Sequence, residues 1–407
     1  MKKYVIVGAG NRGLWMFAKP LTSELKDAAE LVGIYDVNPI RAEFMSKSCG
    51  NVPVYDDFEG MLSDTHPDGV IVTTPDSLHD EYIIRALQAG YDVISEKPMT
   101  MEASKCRAIL EAEKAAGKQV TVTFNCRFMP YVVRIKELLS QGTIGDILSV
   151  NLEWSLDRSH GADYFRRWHR KLENSGGLLV HKSTHHFDMV NWWLHDEPEV
   201  VYAQGARHFY GPTREERGER CLTCKHKDTC EFYFDITADD TVKQLYYEAE
   251  QQDGYFRDQC VFSEEIDIYD TMSLSVKYAR GTLLTYSLNA YCPYEGWKIT
   301  FNGTKGRIEA EEISSGPKSN DPNQYISIYN NKGDLEVSET KKLLADHGGG
   351  DEHLRRMIFR GDVPDVLGQQ AGSRAGAMSL LVGAAANISI ADKRPVSINE
   401  LLGEDLF

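Results

Sequence analysis

At 407 residues the chain is too long for one ordinary core, and 42% hydrophobic with 26% charged residues describes a two-domain globular protein rather than a disordered one. The 61 acidic against 45 basic residues give a formal net charge of −16, which repels a nucleic-acid backbone. The opening "MKKYVIVGAGNRG" reaches its glycines too early for a signal peptide or a membrane span, so a cytoplasmic protein with reduced cysteines and no membrane partner is expected.

The first third alternates strands and helices. Residues 4–7 read as a short apolar strand, "GAGNRG" follows at 8–13, "LWMFAKPL" opens a helix, and a second strand, "ELVGIYD", ends on Asp36. This is the setting of a dinucleotide site. Gly8 permits the tight turn, Gly10 lets the backbone approach a pyrophosphate, and Gly13 lets helix and strand pack closely. The N–H groups around Asn11 and Arg12 then open a helix N-terminus toward the phosphates. Asp36 is placed to accept hydrogen bonds from the adenosine ribose and repels a 2′-phosphate, so NAD is preferred over NADP, with Arg41 nearby as a counterweight.

The alternation continues through "DGVIVTTP" (68–75), a helix at 78–90, the strand "YDVISE", the helix "MEASKCRAILEAEKAAG" and the strand "QVTVTFN". Strands separated by helices predict a doubly wound parallel sheet, a Rossmann domain over 1–124. Ligands on such a sheet sit beyond the carboxyl ends of its strands, where Thr74, Pro75, Glu96 and Lys97 fall, with His79 close behind.

From residue 147 the period changes to two, with Val150, Leu152, Trp154 and Leu156 alternating against polar residues. Similar strands are predicted at "EVVYAQGARHF", "IDIYDTMSLSVKYA", "TLLTYSLNA", "WKITFNG" and "QYISIYN". They make a large, mostly antiparallel open sheet in an α+β domain over 125–407, so the whole is an α/β protein, with a closing helix near 373–391. The stretch "NSGGLLVHKSTHHFDMVNWWLH" (174–195) reads as one helix, on which Val180, Phe187, Val190 and Leu194 share a stripe and His181, His185 and Asp188 lie nearly opposite. Such a polar face is a candidate site, and the i, i+4 histidine pair also has metal-ligand spacing. Asn125 and Arg127 face the same cleft, as substrate contacts or, for the arginine, an interdomain salt bridge. Trp168 and His169 of "RRWHR" form either a substrate-stacking wall or core. In "DHGGGDEHL" (346–354), Asp351 reads as a helix N-cap and His347 reaches toward a substrate.

Taken together, "GAGNRG", "TTPDSLH" followed by "ALQAGYDVISEKP", and "FNCRFMP" with "GTIGDI" resemble the family of glucose-fructose oxidoreductase, inositol dehydrogenase and their rhizopine-related relatives (Gfo/Idh/MocA) over nearly the whole chain. The resemblance implies a nucleotide domain followed by an α/β domain whose open sheet carries the substrate site and a dimer or tetramer contact. It implies that Lys97 sits in a tight, sometimes cis turn facing the substrate hydroxyl, with Glu96 orienting its neighbours. It places the catalytic histidine at His185, while His181 stands where the family keeps an aspartate. The expected chemistry is NAD-dependent oxidation of a secondary hydroxyl of a sugar, cyclitol or glycoside. His185 is the general base, Lys97 stabilises the alkoxide, and His181 tunes the base. Two alternatives use the same scaffold: a glycoside hydrolase exploiting transient oxidation, and a non-catalytic sensor of NAD and sugar.

"ERCLTCKHKDTCEF" supplies Cys221, Cys224 and Cys230, and Cys260 follows in "RDQCVF". The resemblance implies a strand order with no such element, so residues 205–265 read as an insertion, pinned by a thiolate site for structural zinc or carrying four unlinked thiols, with His226 or His208 able to replace one ligand. Tyr246, Tyr247, Tyr255 and Phe256 in the same stretch suggest a lid over sugar rings.

Overall fold

The computed structural model describes residues 1–343 and 346–403. Its first sheet has seven strands in the spatial order Ala371–Gly372, Val120–Val122, Asp92–Ser95, Gly69–Val72, Lys2–Val7, Ala29–Tyr35 and Val54–Tyr55. All neighbours are parallel except the two-residue edge strand Ala371–Gly372. Helices cover both faces, so Val5, Ile6, Val7, Val70, Ile71 and Val72 are all buried and the strands read as continuous apolar runs. The doubly wound sheet expected from the sequence is present. The helix after the glycine turn is wider than expected, with π-type turns over Gly13–Ala18 before Lys19–Thr22. Pro20 has no N–H to return to the preceding turn, and the bonding there slips by one residue.

The second sheet has nine strands in the order Leu335–Lys341, Asn323–Asn330, Gly306–Ile313, Gly296–Gly303, Ile147–Asp157, Leu283–Cys292, Thr271–Tyr278, Pro198–Ala206 and Val396–Ser397. It is antiparallel apart from the central pair Ile147–Asp157 with Leu283–Cys292, which runs parallel. Val150, Leu152 and Trp154 point inward, while Asn151 and Glu153 face out.

Helix Ser373–Asp392 lies against both domains. A Cβ on Gly376 would stand 2.9 Å from the Val122 side chain of the first sheet, and one on Gly383 would stand 2.1 Å from the Leu179 carbonyl oxygen. The backbone just before His181 is thus pressed directly onto this helix. The predicted helix over 174–195 is broken: Leu178–His181 and Ser183–Leu194 are separated at Lys182. Here the His185 N–H bonds the Lys182 carbonyl three residues back instead of continuing the ladder of the preceding segment. His181 and His185 still border one cavity, whereas Asp188 turns to Arg127.

The insertion fills the connection between the adjacent strands Pro198–Ala206 and Thr271–Tyr278. It has only short helical pieces, and two fully buried carboxylates organise it. Asp270 accepts the N–H groups of His208, Phe209 and Tyr210 at 3.0, 2.7 and 3.0 Å, while Asp258 accepts Arg220 and the Leu222 N–H. Cys221, Cys224, Cys230 and Cys260 border one cavity of about 20 Å³ together with His226. Of the two readings, a zinc site or four unlinked thiols, the side chains as placed do not form the tetrahedron. Among the described residues no three His, Cys, Asp or Glu side chains are placed to hold an ion. Cys221 lies 3.6 Å from the Arg166 guanidinium and is turned to the Phe232 carbonyl. Arg214 donates to Cys230, and the His226 N–H to Cys224.

Candidate active site

A cavity of about 780 Å³ runs from the glycine turn, past the ends of the parallel strands, to the histidine segment of the second domain. Gly8 begins it at φ +97°, and a Cβ there would lie 2.6 Å from the Thr73 backbone. Gly10 faces open space, its nearest prospective neighbour being the Tyr246 hydroxyl at 3.9 Å, whereas Gly13 packs behind the turn against Gly8. A pyrophosphate can therefore approach the backbone at Gly10, Asn11 and Arg12, and the turn fits a dinucleotide. Asp36 accepts the Ala9 N–H at 2.6 Å and the Asn38 N–H at 2.7 Å, which fixes its carboxylate at the ribose end of the cavity. Arg41 lies 3.6 Å from Asp36 and pairs with Asp253, so its charge is already committed to carboxylates rather than offered to a 2′-phosphate.

At the other end, the Lys97–Pro98 peptide is cis, and Lys97 Nζ donates to the His181 carbonyl oxygen at 3.1 Å. Burial lowers the Lys97 pKa to about 8, against the attraction of Asp76 and Glu96. Glu96 accepts Arg12 Nε at 2.8 Å. His79 is bracketed by the Thr74 and Pro98 carbonyl oxygens, each at 2.8 Å, and burial lowers its pKa, so the ring ties the Pro75 turn to the lysine turn.

His181 Nδ1 meets Asp76 Oδ2 at 2.5 Å. Burial pushes the ring's pKa down and the carboxyl's up. The His169 ring stands 4.2 Å from that of His181, and Trp168 stacks on His169 at 3.7 Å while also lining the cavity. Wall and packing roles coincide for Trp168. His185 lines the same cavity with Nδ1 sealed and unpartnered, its edge against Phe124. Burial, then the charges of Lys97 and Lys182, pushes its pKa well below the usual histidine value.

Three expectations need correction. Arg127 and Asp188 do not border the cavity; they pair with each other, Arg127 Nε to Asp188 Oδ2 at 2.7 Å, both deeply buried. A buried guanidinium and carboxylate satisfy each other better than either is satisfied alone, so Arg127 makes a salt bridge, but inside the 125–407 domain rather than between domains as expected. Asp351 is no cap, since helix Gly350–Arg355 starts from Gly349. Its carboxylate instead receives Arg12 at 2.9 Å, Asn125 at 2.5 Å and His347 at 3.1 Å. Burial opposes that charge, but the His347 and Arg12 bonds outweigh it and hold the pKa well below the usual range. Of the four lid aromatics, Tyr246 and Tyr255 line the cavity; Tyr247 and Phe256 do not.

Sequence reasoning missed Asp76, Arg167 and Arg257, all at the cavity. Asp76 follows Pro75 directly and was readable as a group at a strand's carboxyl end; the two arginines carry no spacing signal.

Comparison with known proteins identifies both domains. Residues 2–124 match the NAD-binding Rossmann fold of an oxidoreductase family, and residues 136–398 match that family's C-terminal alpha/beta domain. The oxidoreductase YteT of Bacillus subtilis (strain 168) is 40% identical over 98% of this chain and 99% of its own. Inositol 2-dehydrogenase of Rhizobium meliloti (strain 1021) is 29% identical over 50% of this chain and 58% of that one. The WlbA dehydrogenase structure from Bordetella pertussis, in complex with NADH and UDP-GlcNAcA, superposes at a TM-score of 0.65 with 21% identity, covering 97% of this chain and 98% of that one. Nothing in these relatives supports the glycoside-cleaving alternative. The chain is an NAD-binding oxidoreductase, and it belongs to the Gfo/Idh/MocA oxidoreductase family.

Proposed function

We propose that the chain oxidises a secondary hydroxyl of a sugar, cyclitol or glycoside and catalyses the reverse reduction. The observation that carries this reading is that Lys97 from the first domain and His185 from the second border one cavity whose other end is the glycine turn. NAD, when bound along that turn, supplies the hydride acceptor. Lys97 is mainly an ammonium at neutral pH, since its pKa stays at about 8. It donates to the carbinol oxygen and offsets the charge that develops there, an effect worth several kcal/mol in a water-poor site. His185 is neutral and has no hydrogen-bond partner among the described residues, so its open nitrogen receives the hydroxyl proton. His181 holds Lys97 through its carbonyl and is itself held by Asp76, which makes both positioning residues. Asn125, Trp168 and His347 line the remaining wall as substrate contacts.

The inositol dehydrogenase relative supports a polyol or sugar substrate. Homo-oligomerisation through the open sheet fits its outward face, where Tyr202 and Leu283 are exposed among Asn151, Ser273 and Thr285. A screen of sugars, cyclitols and glycosides for NADH formation, run with the parent, Lys97→Ala and His185→Ala, tests the assignment. Turnover is expected to fall at least about a hundredfold in each variant. Full activity in both would refute it.

A further inference from the structure

Arg167 and Arg257 enter the cavity from the second domain and share one carboxylate. Asp163 lies 2.8 Å from Arg167 Nη1 and 3.5 Å from Arg257 Nη2. Two guanidiniums against one carboxylate leave a surplus positive charge, and the partnering is incomplete as well. Arg167 Nε, both Nε and Nη1 of Arg257, and the Tyr255 hydroxyl are buried without a hydrogen-bond partner among the described residues. Lys182 adds a further cation: it lines the cavity, stands 5.5 Å over the Trp154 ring and has no ion pair among the described residues. Half-satisfied buried cations are costly, and a fold keeps them where a ligand brings the missing charge. Burial opposes the Asp163 charge, but the two arginines still hold its pKa at about 2, so no titration near neutrality removes their counter-ion or changes the balance.

The position of this surplus points to the substrate. Arg167 precedes Trp168 and His169, and the His169 ring stands 4.2 Å from His181, whose carbonyl fixes Lys97. The charge therefore lies beside the reacting carbon rather than at the adenosine end, where Asp36 and Asp253 outweigh the single charge of Arg41. Resting on the polyol-oxidising function, we infer that the substrate is a sugar acid whose anionic oxygens are bound by Arg257 and Arg167, with Tyr255 as a further donor. Guanidinium matches a carboxylate geometrically, and charge-assisted bonds of this kind change affinity by about ten- to a hundredfold.

Calorimetric titration of the NADH-loaded protein tests this without requiring turnover. The probes are glucuronate and galacturonate, the matched neutral hexoses, and the hexose 6-phosphates; the proteins are the parent, Arg257→Gln and the charge-preserving Arg257→Lys, each checked for an unchanged melting profile. The parent is expected to bind an acid at least about tenfold more tightly than its neutral counterpart. That preference should collapse in Arg257→Gln and return in part in Arg257→Lys. A preference for the phosphates that shows the same dependence keeps the anion site but overturns the sugar-acid assignment, giving a phosphate ester as its ligand. Equal affinity for acid and neutral sugars in the parent overturns the inference. So does an Arg257→Gln variant that loses NADH affinity while keeping the preference, because the arginine would then serve the dinucleotide pyrophosphate. Oxidation of neutral sugars alone leaves the dehydrogenase reading intact and removes only this one.

Discussion

Arg12, in the glycine turn, and Asp351, 339 residues further along, meet at 2.9 Å. The same carboxylate holds Asn125 and His347, so a single side chain ties the turn expected to face the pyrophosphate to the end of the first sheet and to the late loop. Asp351→Asn removes the charge at nearly constant shape. NADH affinity should fall about tenfold, as expected for loss of a charge-assisted contact, and a fluorescence titration reads it directly. Unchanged NADH binding in a folded variant would reduce this hub to a structural tie.

The pH profile follows from Lys97. Its protonated form is the active one in this scheme, and deprotonation proceeds as pH rises through about 8. Initial rates of oxidation should hold below that value and fall above it, approaching about tenfold per pH unit. Asp76 is the leading charge that raises the Lys97 pKa. In Asp76→Asn the falling limb should therefore move to lower pH, and a limb that stays in place would show that another group sets it.

Stability rests in part on the Arg127–Asp188 pair, whose side chains are 6% and 1% exposed. Asp188→Ala leaves a buried guanidinium without its partner, and a loss of about 3–5 kcal/mol is expected in denaturant titration. Replacing both residues with apolar ones should recover much of it. A single variant as stable as the parent would mean that the arginine finds another acceptor.

Cofactor choice depends on a contact made by the insertion. Asp253 engages both Arg41 and Asn38, the latter at 3.0 Å. Asp253→Asn releases the guanidinium at the place where a 2′-phosphate would sit. The NADPH to NADH affinity ratio should rise about tenfold, by the gain of one charged contact. No change in that ratio would show that Asp36 alone excludes the phosphate.

How far these features can be read from sequence depends on the range of the interaction. Period and glycine spacing are local, and they were enough for the parallel sheet, the glycine turn and the strand Ile147–Asp157, whose alternation is carried by large apolar residues. Strand Gly306–Ile313 escaped notice because its inward positions include Ala310 and Glu312, which blur the contrast. Leu335–Lys341 is a mostly exposed edge strand with no apolar face to betray it. At the site, Lys97, His185 and the glycines announce themselves through motifs. The pairings Arg127 with Asp188, His181 with Asp76, and Arg12 with Asp351 join residues far apart in the chain, and no spacing rule reaches them. The cysteine cluster shows the converse: spacing suggested a tetrahedron, while side-chain direction decided against it.

Gly383 sits one helix away from all of this chemistry. Any side chain there must push aside the Leu179 carbonyl, two residues before the one that steadies Lys97. A methyl group in the scaffold would thus surface as a wandering ammonium in the cleft, an injury felt by catalysis although nothing that touches the substrate had been altered.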